Sequence, residues 1–240
     1  MALEEVVYPN SPLVEVVFEI RFPGELQVEC NKHLFWEKIR AEYPNIRVPH
    51  PMPEKAMALM PYKFDNEDKS MTVMLALNSI ALSAAKYPGF KVFKNEVLRI
   101  YKIFGETFSL NTINRVGWRY INVIPFVREN GVIPLNRFLT LGFKVPESIP
   151  EQFSNLNLTF EAKTENATVI TKLETIRRAD EGGQEALLLD FDYGRVRSGD
   201  DELIFDNVPE YLEEAHSKTR QLFEDFIIDE YRQYLVGDVL

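Results

Sequence analysis

Residues 113–124 read Ile-Asn-Arg-Val-Gly-Trp-Arg-Tyr-Ile-Asn-Val-Ile. As a strand this stretch has two unlike faces, because successive side chains alternate across a strand. Val116, Trp118, Tyr120 and Ile124 point one way, and Arg115, Gly117 and Arg119 the other. Residues 13–22 repeat the design with opposite charge. Val14, Val16, Phe18, Ile20 and Phe22 form the apolar face, while Glu15 and Glu19 share the polar one. A sheet with a polar face of both signs follows.

Working outward, the remaining elements fall into an α+β order. A helix is expected over about residues 31–43, with Asn31 as N-cap and Phe35 and Ile39 on its inner face. The prolines at 49, 51 and 53 make a loop. Strands are expected at 56–64, 71–77 and 80–86, with turns at 65–68 and 78–79. A second helix covers 90–108, because Phe93, Val97, Ile100, Tyr101, Phe104 and Phe108 form one stripe. Further strands are expected at 138–145, 156–164, 168–178 and 185–196, the last two joined by Asp180-Glu181-Gly182-Gly183. A long C-terminal helix opens at Asn207-Val208-Pro209-Glu210. Its stripe runs through Leu212, Ala215, Leu222, Phe223, Phe226, Ile227 and Tyr231. Hairpin-length connections make the sheet mainly antiparallel. The chain reads as one unit, 1–240, with two similar β-rich lobes, 1–110 and 111–240, as the alternative division and 146–150 as the weakest boundary.

Composition narrows the class. A hydrophobic fraction of 45% with 17 Phe and 10 Tyr supplies a real core and excludes global disorder. The acidic start, Met-Ala-Leu-Glu-Glu, is unlike a signal peptide, and no run reaches the roughly 18 apolar residues of a membrane span. A cytoplasmic protein with no membrane attachment is expected. A single cysteine, Cys30, excludes an internal disulfide and a cysteine-based zinc site. The net charge of −10 is concentrated in the last quarter, where residues 180–240 hold 17 acidic against 5 basic side chains. That end repels a phosphate backbone, so no nucleic acid is expected as partner. Lys86, Lys91, Lys94, Arg99 and Lys102 form the one local basic cluster, and an exposed helix face accounts for it.

Several short patterns together resemble a known family. They are Tyr8-x-x-x-Pro12-Leu13-x-Glu15, Arg119-Tyr120-Ile121-Asn122, Leu188-Leu189-Asp190-Phe191-Asp192, and His216 followed by Phe223-Glu224. In these the chain is similar, over nearly its whole length, to a sporadically distributed prokaryotic family of about this size. The resemblance implies a single-unit cytosolic protein and brings no activity with it.

Motifs of chemistry are sparse. The chain has no Walker A, Gly-x-Gly-x-x-Gly or Gly-x-Ser-x-Gly pattern, and His33, His50 and His216 lack metal-ligand spacing. No catalytic set, metal or cofactor is expected. His216 falls on the stripe of the last helix and reads as a packed, hydrogen-bonded histidine. Asp190 and Asp192 share one strand face about 6–7 Å apart, a spacing open to a cation, to acid–base work or to a plain solvent-facing edge. Arg115 and Arg119 stand about 13 Å apart. Gly117 between them leaves a gap in the side-chain row. Either they form an anion site, or Glu15 and Glu19 pair with them across neighbouring strands. The candidate ligand-binding residues are therefore Arg115, Arg119, Glu15, Glu19, Asp190 and Asp192. The expected function is non-enzymatic binding or adaptor work through contacts with a protein partner or a homo-oligomer. The alternative is a small-molecule or anion pocket, with or without catalysis, between sheet and helices.

Overall fold

A computed structural model describes residues 8–49, 60–110, 112–142, 144–164, 167–178, 182–197 and 203–237. The first half runs β1 (Leu13–Arg21), α1 (Leu26–Ile39), β2 (Asn45–Arg47), β3 (Tyr62–Asp65), β4 (Met71–Ala76), β5 (Ser79–Ala84) and α2 (Phe90–Phe108). The second runs β6 (Thr112–Ile113), β7 (Arg115–Pro125), β8 (Asn157–Lys163), β9 (Thr168–Arg178), β10 (Gln184–Val196) and β11 (Leu203–Ile204). It closes with α3 (Val208–Phe226) and α4 (Asp229–Val236). Nine strands form one sheet in the order β2-β3-β4-β5-β1-β7-β10-β9-β8, every neighbouring pair antiparallel. β6 and β11 make a separate pair. The α+β expectation describes this fold.

β1 from the first half and β7 from the second lie side by side at the sheet centre, and each half spreads its other strands of this sheet to one side. β1 and β7 meet there, Val17 opposite Arg119 and Glu19 opposite Gly117, so one sheet runs through both halves. The helices share one face of it. Val16, Phe18 and Ile20 of β1 and Val116, Trp118 and Tyr120 of β7 are buried beneath α1, α2 and the first half of α3. Ile124, Leu187, Leu189 and Phe191 are buried with Phe223, Ile227, Tyr231 and Leu235 in a second cluster. Trp118 is the hub of the first cluster, edge-on to Phe93 with ring centres 5.5 Å apart. Such aromatic pairs add about 0.5–1.5 kcal/mol beyond their buried area.

The α2 stripe is buried throughout, and the Tyr101 hydroxyl donates to the Ile80 carbonyl at 2.8 Å, tying helix to sheet. Elsewhere local chemistry redraws the expected boundaries. α1 begins earlier, where the Glu25 side chain accepts from Gln27 N at 3.1 Å. Asn31 is a kink inside it, not its cap. Val14 leaves the apolar face because the β1–β7 register shifts between Leu13 and Glu15, and it is 40% exposed. Residues 138–145 do not form a strand in their described part. Phe138 and Leu139 bury themselves in the second cluster, leaving a single bridge from Leu139 to Ile227. That bridge also splits the C-terminal helix. Ile227 turns extended, Ile228 N donates to Phe138 O, and Arg232 covers the freed carbonyls of Glu224 and Ile227. The expected strand at 56–64 is seen from Tyr62 onward; residues 56–59, the prolines at 51 and 53, and Asp180 and Glu181 lie outside the described residues.

Candidate functional site

The face of the sheet opposite the helices carries the charge ladder. Arg119 of β7 forms a fork on Asp190 of β10, Nε and Nη2 donating to its two oxygens at 2.8 and 2.5 Å. The Asp190 side chain is 7% exposed, and the hydrogen bond to it raises the Arg119 pKa against the opposing effect of burial. Arg115 reaches both neighbouring strands, donating to Asp192 at 2.6 Å and to Glu19 at 3.3 Å. Glu19 thus takes its place in the expected ladder. Glu15 forms no ion pair among the described residues and acts on Arg119 through its charge alone. Asp190 and Asp192, read in the sequence as a separate pair, belong to the same network as the arginines. The gap at Gly117 is filled from within, because the Arg115 guanidinium lies over Gly117 and over Gly194, its partner on β10.

On the helix face, at the seam between the two buried clusters, lies a cavity of about 400 Å³. Tyr120 and Asn122 of β7 form its floor, the Tyr8–Leu13 segment one wall, and Tyr87-Pro88-Gly89 another. α3 supplies the fourth side through His216, Arg220, Phe223 and Glu224. Their spacing of 4, 3 and 1 residues puts all four on one helix face. The same helix buries Leu212 and Ala215 in the first cluster and Phe223 in the second, which fixes this stretch across the seam.

Polar groups converge on the cavity. The Tyr120 hydroxyl and His216 Nδ1 are 2.7 Å apart, and His216 stacks on Phe90 with ring centres 3.8 Å apart. The packed, hydrogen-bonded histidine expected from the sequence is therefore what stands there. The Tyr87 hydroxyl is 3.5 Å from that of Tyr120. Burial, then the neighbouring Tyr87, pushes the Tyr120 pKa well up. Tyr8 donates to Glu224 Oε1 at 2.6 Å, and burial followed by that bond raises its pKa to about 12. Glu224 Oε2 accepts from Arg232 at 3.1 Å. Asn122, 2% exposed, donates through Nδ2 to Leu189 O at 3.2 Å.

Apart from His216, none of these residues was singled out for chemistry in the sequence. Two signals point to them. Asn122 is a polar side chain on the otherwise apolar face of β7, and His216, Arg220 and Glu224 interrupt the stripe of α3. Among the described residues no three or more His, Cys, Asp or Glu side chains are grouped to hold a metal ion. No helix among them is long and apolar enough to cross a membrane. The basic cluster is largely paired: Lys94 with Glu213, Arg99 with Glu96 at 2.7 Å, and Lys102 with Glu106 at 4.0 Å. No family model matches the chain, and no curated protein matches it in sequence.

Proposed function

We propose that the protein binds a small molecule in the cavity between β7, α3 and the Tyr8–Leu13 segment. The observation that carries this reading is the convergence of the Tyr8, Tyr87 and Tyr120 hydroxyls, His216, Arg220 and Asn122 on one cavity with apolar walls. Its volume of about 400 Å³ falls in the range of ligand sites, about 300–1,000 Å³. Such sites pair apolar walls with a few placed polar groups that set orientation. The ladder of Arg115, Arg119, Asp190, Asp192 and Glu19 supports a structural role, since its charges answer one another within the sheet. A broad contiguous apolar patch would favour an adaptor. The exposed large apolar side chains are spread over several elements, among them Leu26 and Leu34 of α1, Ile46 of β2, Val92 of α2, Phe160 of β8 and Val196 of β10.

Native mass spectrometry of protein isolated gently from its own host tests the reading. The expected result is a discrete mass above that of the chain, lost in Ser11→Trp, which fills the cavity from its exposed rim. A bare-chain mass, or an adduct that Ser11→Trp retains, would count against it.

A further inference from the structure

We infer that two copies of this chain join edge to edge through β8, one strand antiparallel to the other, so that the sheet of each runs on into its copy. The inference stands apart from the cavity. Among the described residues β8 ends the nine-stranded sheet, and six of its seven residues are exposed. The two edges of the sheet are unlike. β2, at the other end, is three residues long. β8 keeps an unbroken register with β9, from Asn157 opposite Glu174 to Lys163 opposite Thr168, and it contains no proline. Short strands, bulges, prolines and inward-pointing charges keep an edge from pairing with another chain. The side of β8 that faces the helices carries no charge either: it consists of Leu158, Phe160 and Ala162.

The backbone decides what this edge offers. Thr175 N donates to Leu156 O at 2.9 Å just ahead of β8, and Thr164 N donates to Ala167 O at 2.7 Å just beyond it. Both even-numbered residues thus bond toward the β9 side, and the direction alternates residue by residue along an antiparallel strand. Leu158, Phe160 and Ala162 therefore turn their N–H and C=O groups to β9, while Asn157, Thr159, Glu161 and Lys163 turn theirs outward. A two-fold axis at Phe160 pairs all four outward residues with a second copy. Asn157 then stands opposite Lys163 and Thr159 opposite Glu161, each pair exchanging both of its bonds. A slip of one residue would set the helix side of one copy against the outer side of the other, and a slip of two would leave outward groups unpaired.

The side chains fit the same register. No like charges stand directly opposite one another, and Glu161 is answered by Lys163 of its own strand at 3.6 Å. On the helix side Leu158 meets Ala162 of the second copy. The two Phe160 rings meet at the axis in a pair without hydrogen bonds, where side chains stand closest. Phe160 is 41% exposed and stacks on Phe226 with ring centres 6.2 Å apart, so its ring is held on the face that the second copy covers.

Sedimentation velocity of the full chain at up to about 100 μM tests this. The wild type should sediment with twice the mass of the chain. Glu161→Pro removes an outward N–H and leaves those that face β9, so it should fold and weaken the dimer about tenfold or more. Phe160→Cys, with the exposed Cys30 changed to Ser, should oxidise to a disulfide-linked dimer, because the two Cα atoms at the axis stand about 4.5 Å apart. Thr159→Cys in the same background should not, since it faces Glu161 of the second copy rather than itself. Should Glu161→Pro fail to fold, the two cysteine variants decide. A wild type that stays monomeric, a dimer that Glu161→Pro leaves intact, or cross-linking as ready at position 159 as at 160 would overturn the inference.

Discussion

Arg115 occupies with its own guanidinium the space that a β-carbon on Gly117 would need, so the glycine is the bed on which the arginine lies. Gly194 on the next strand completes that bed, with Arg115 Nη2 2.8 Å from where its β-carbon would stand. Only with both positions bare can one arginine reach Glu19 on one side and Asp192 on the other.

Gly117→Ala should expel the Arg115 side chain from this bed. The far end of a flexible side chain can move, so the protein should fold but lose about 1–2 kcal/mol, the order of an overpacking change. In an Arg115→Ala background the same glycine change should cost much less. Urea denaturation of the four proteins in the cycle measures this coupling. Additive effects would mean that Arg115 does not rest on Gly117.

Arg119→Met leaves the Asp190 carboxylate nearly buried without its partner. Arg119 itself is 46% exposed, so the cost should fall between those of exposed and buried pairs, about 2 kcal/mol. Adding Asp190→Asn should recover much of the loss, because the stranded charge is then gone. Denaturant midpoints of the single and double variants check this.

Much of this fold is legible from side-chain alternation. The two faces of β7, the stripe of α2 and the antiparallel meanders follow from periods of 2 and 3.6 residues. What escaped depends on contacts between distant segments. Val14 is turned outward by a register shift against β7, and Ile227 is drawn straight by Leu139, neither of which local pattern encodes. The cavity escaped for the same reason. Tyr8 and Glu224 are 216 residues apart in sequence, and their hydrogen bond exists because the segment ahead of β1 lies against α3 at the seam. The glutamate–arginine ladder was half legible: matched spacing pointed to Glu19 and Arg115, but β10 supplies the carboxylates that hold Arg119 and share Arg115.

Phe223 and Phe226 do not contribute equally to α3. Phe223 is 7% exposed and packs in the second cluster, so Phe223→Ala should cost about 3 kcal/mol. Phe226 is half-buried, in an edge contact with Phe191 and stacked with the exposed Phe160, and its alanine variant should cost about 1–2 kcal/mol. Thermal and urea unfolding should reproduce this order; equal losses would contradict the packing described.

Tyr8 fastens the N-terminal wall of the cavity to α3, and the link should fail in alkali. Its pKa stands at about 12 in the folded chain against 10.0 for the free side chain. A raised pKa gives stability that is fully present below the unfolded value and is lost as pH rises through the folded one. Tyr8→Phe should therefore be less stable than wild type at neutral pH, by about 1–2 kcal/mol for the lost bond to a carboxylate. That difference should shrink across the interval from 10.0 to about 12. Paired unfolding curves over this range measure it, and a constant difference would contradict the assignment.

If the cavity at the seam holds a small molecule, aromatic fragments should find their way to it. A crystallographic screen of soaked aromatic fragments tests it most directly, because it reports place as well as binding. Fragment density should gather between Tyr8, Tyr87, Tyr120, His216 and Phe223 and disappear in Ser11→Trp crystals. Fragments that settle instead on the Arg115–Asp192 ladder, or that leave the cavity empty throughout, would contradict it.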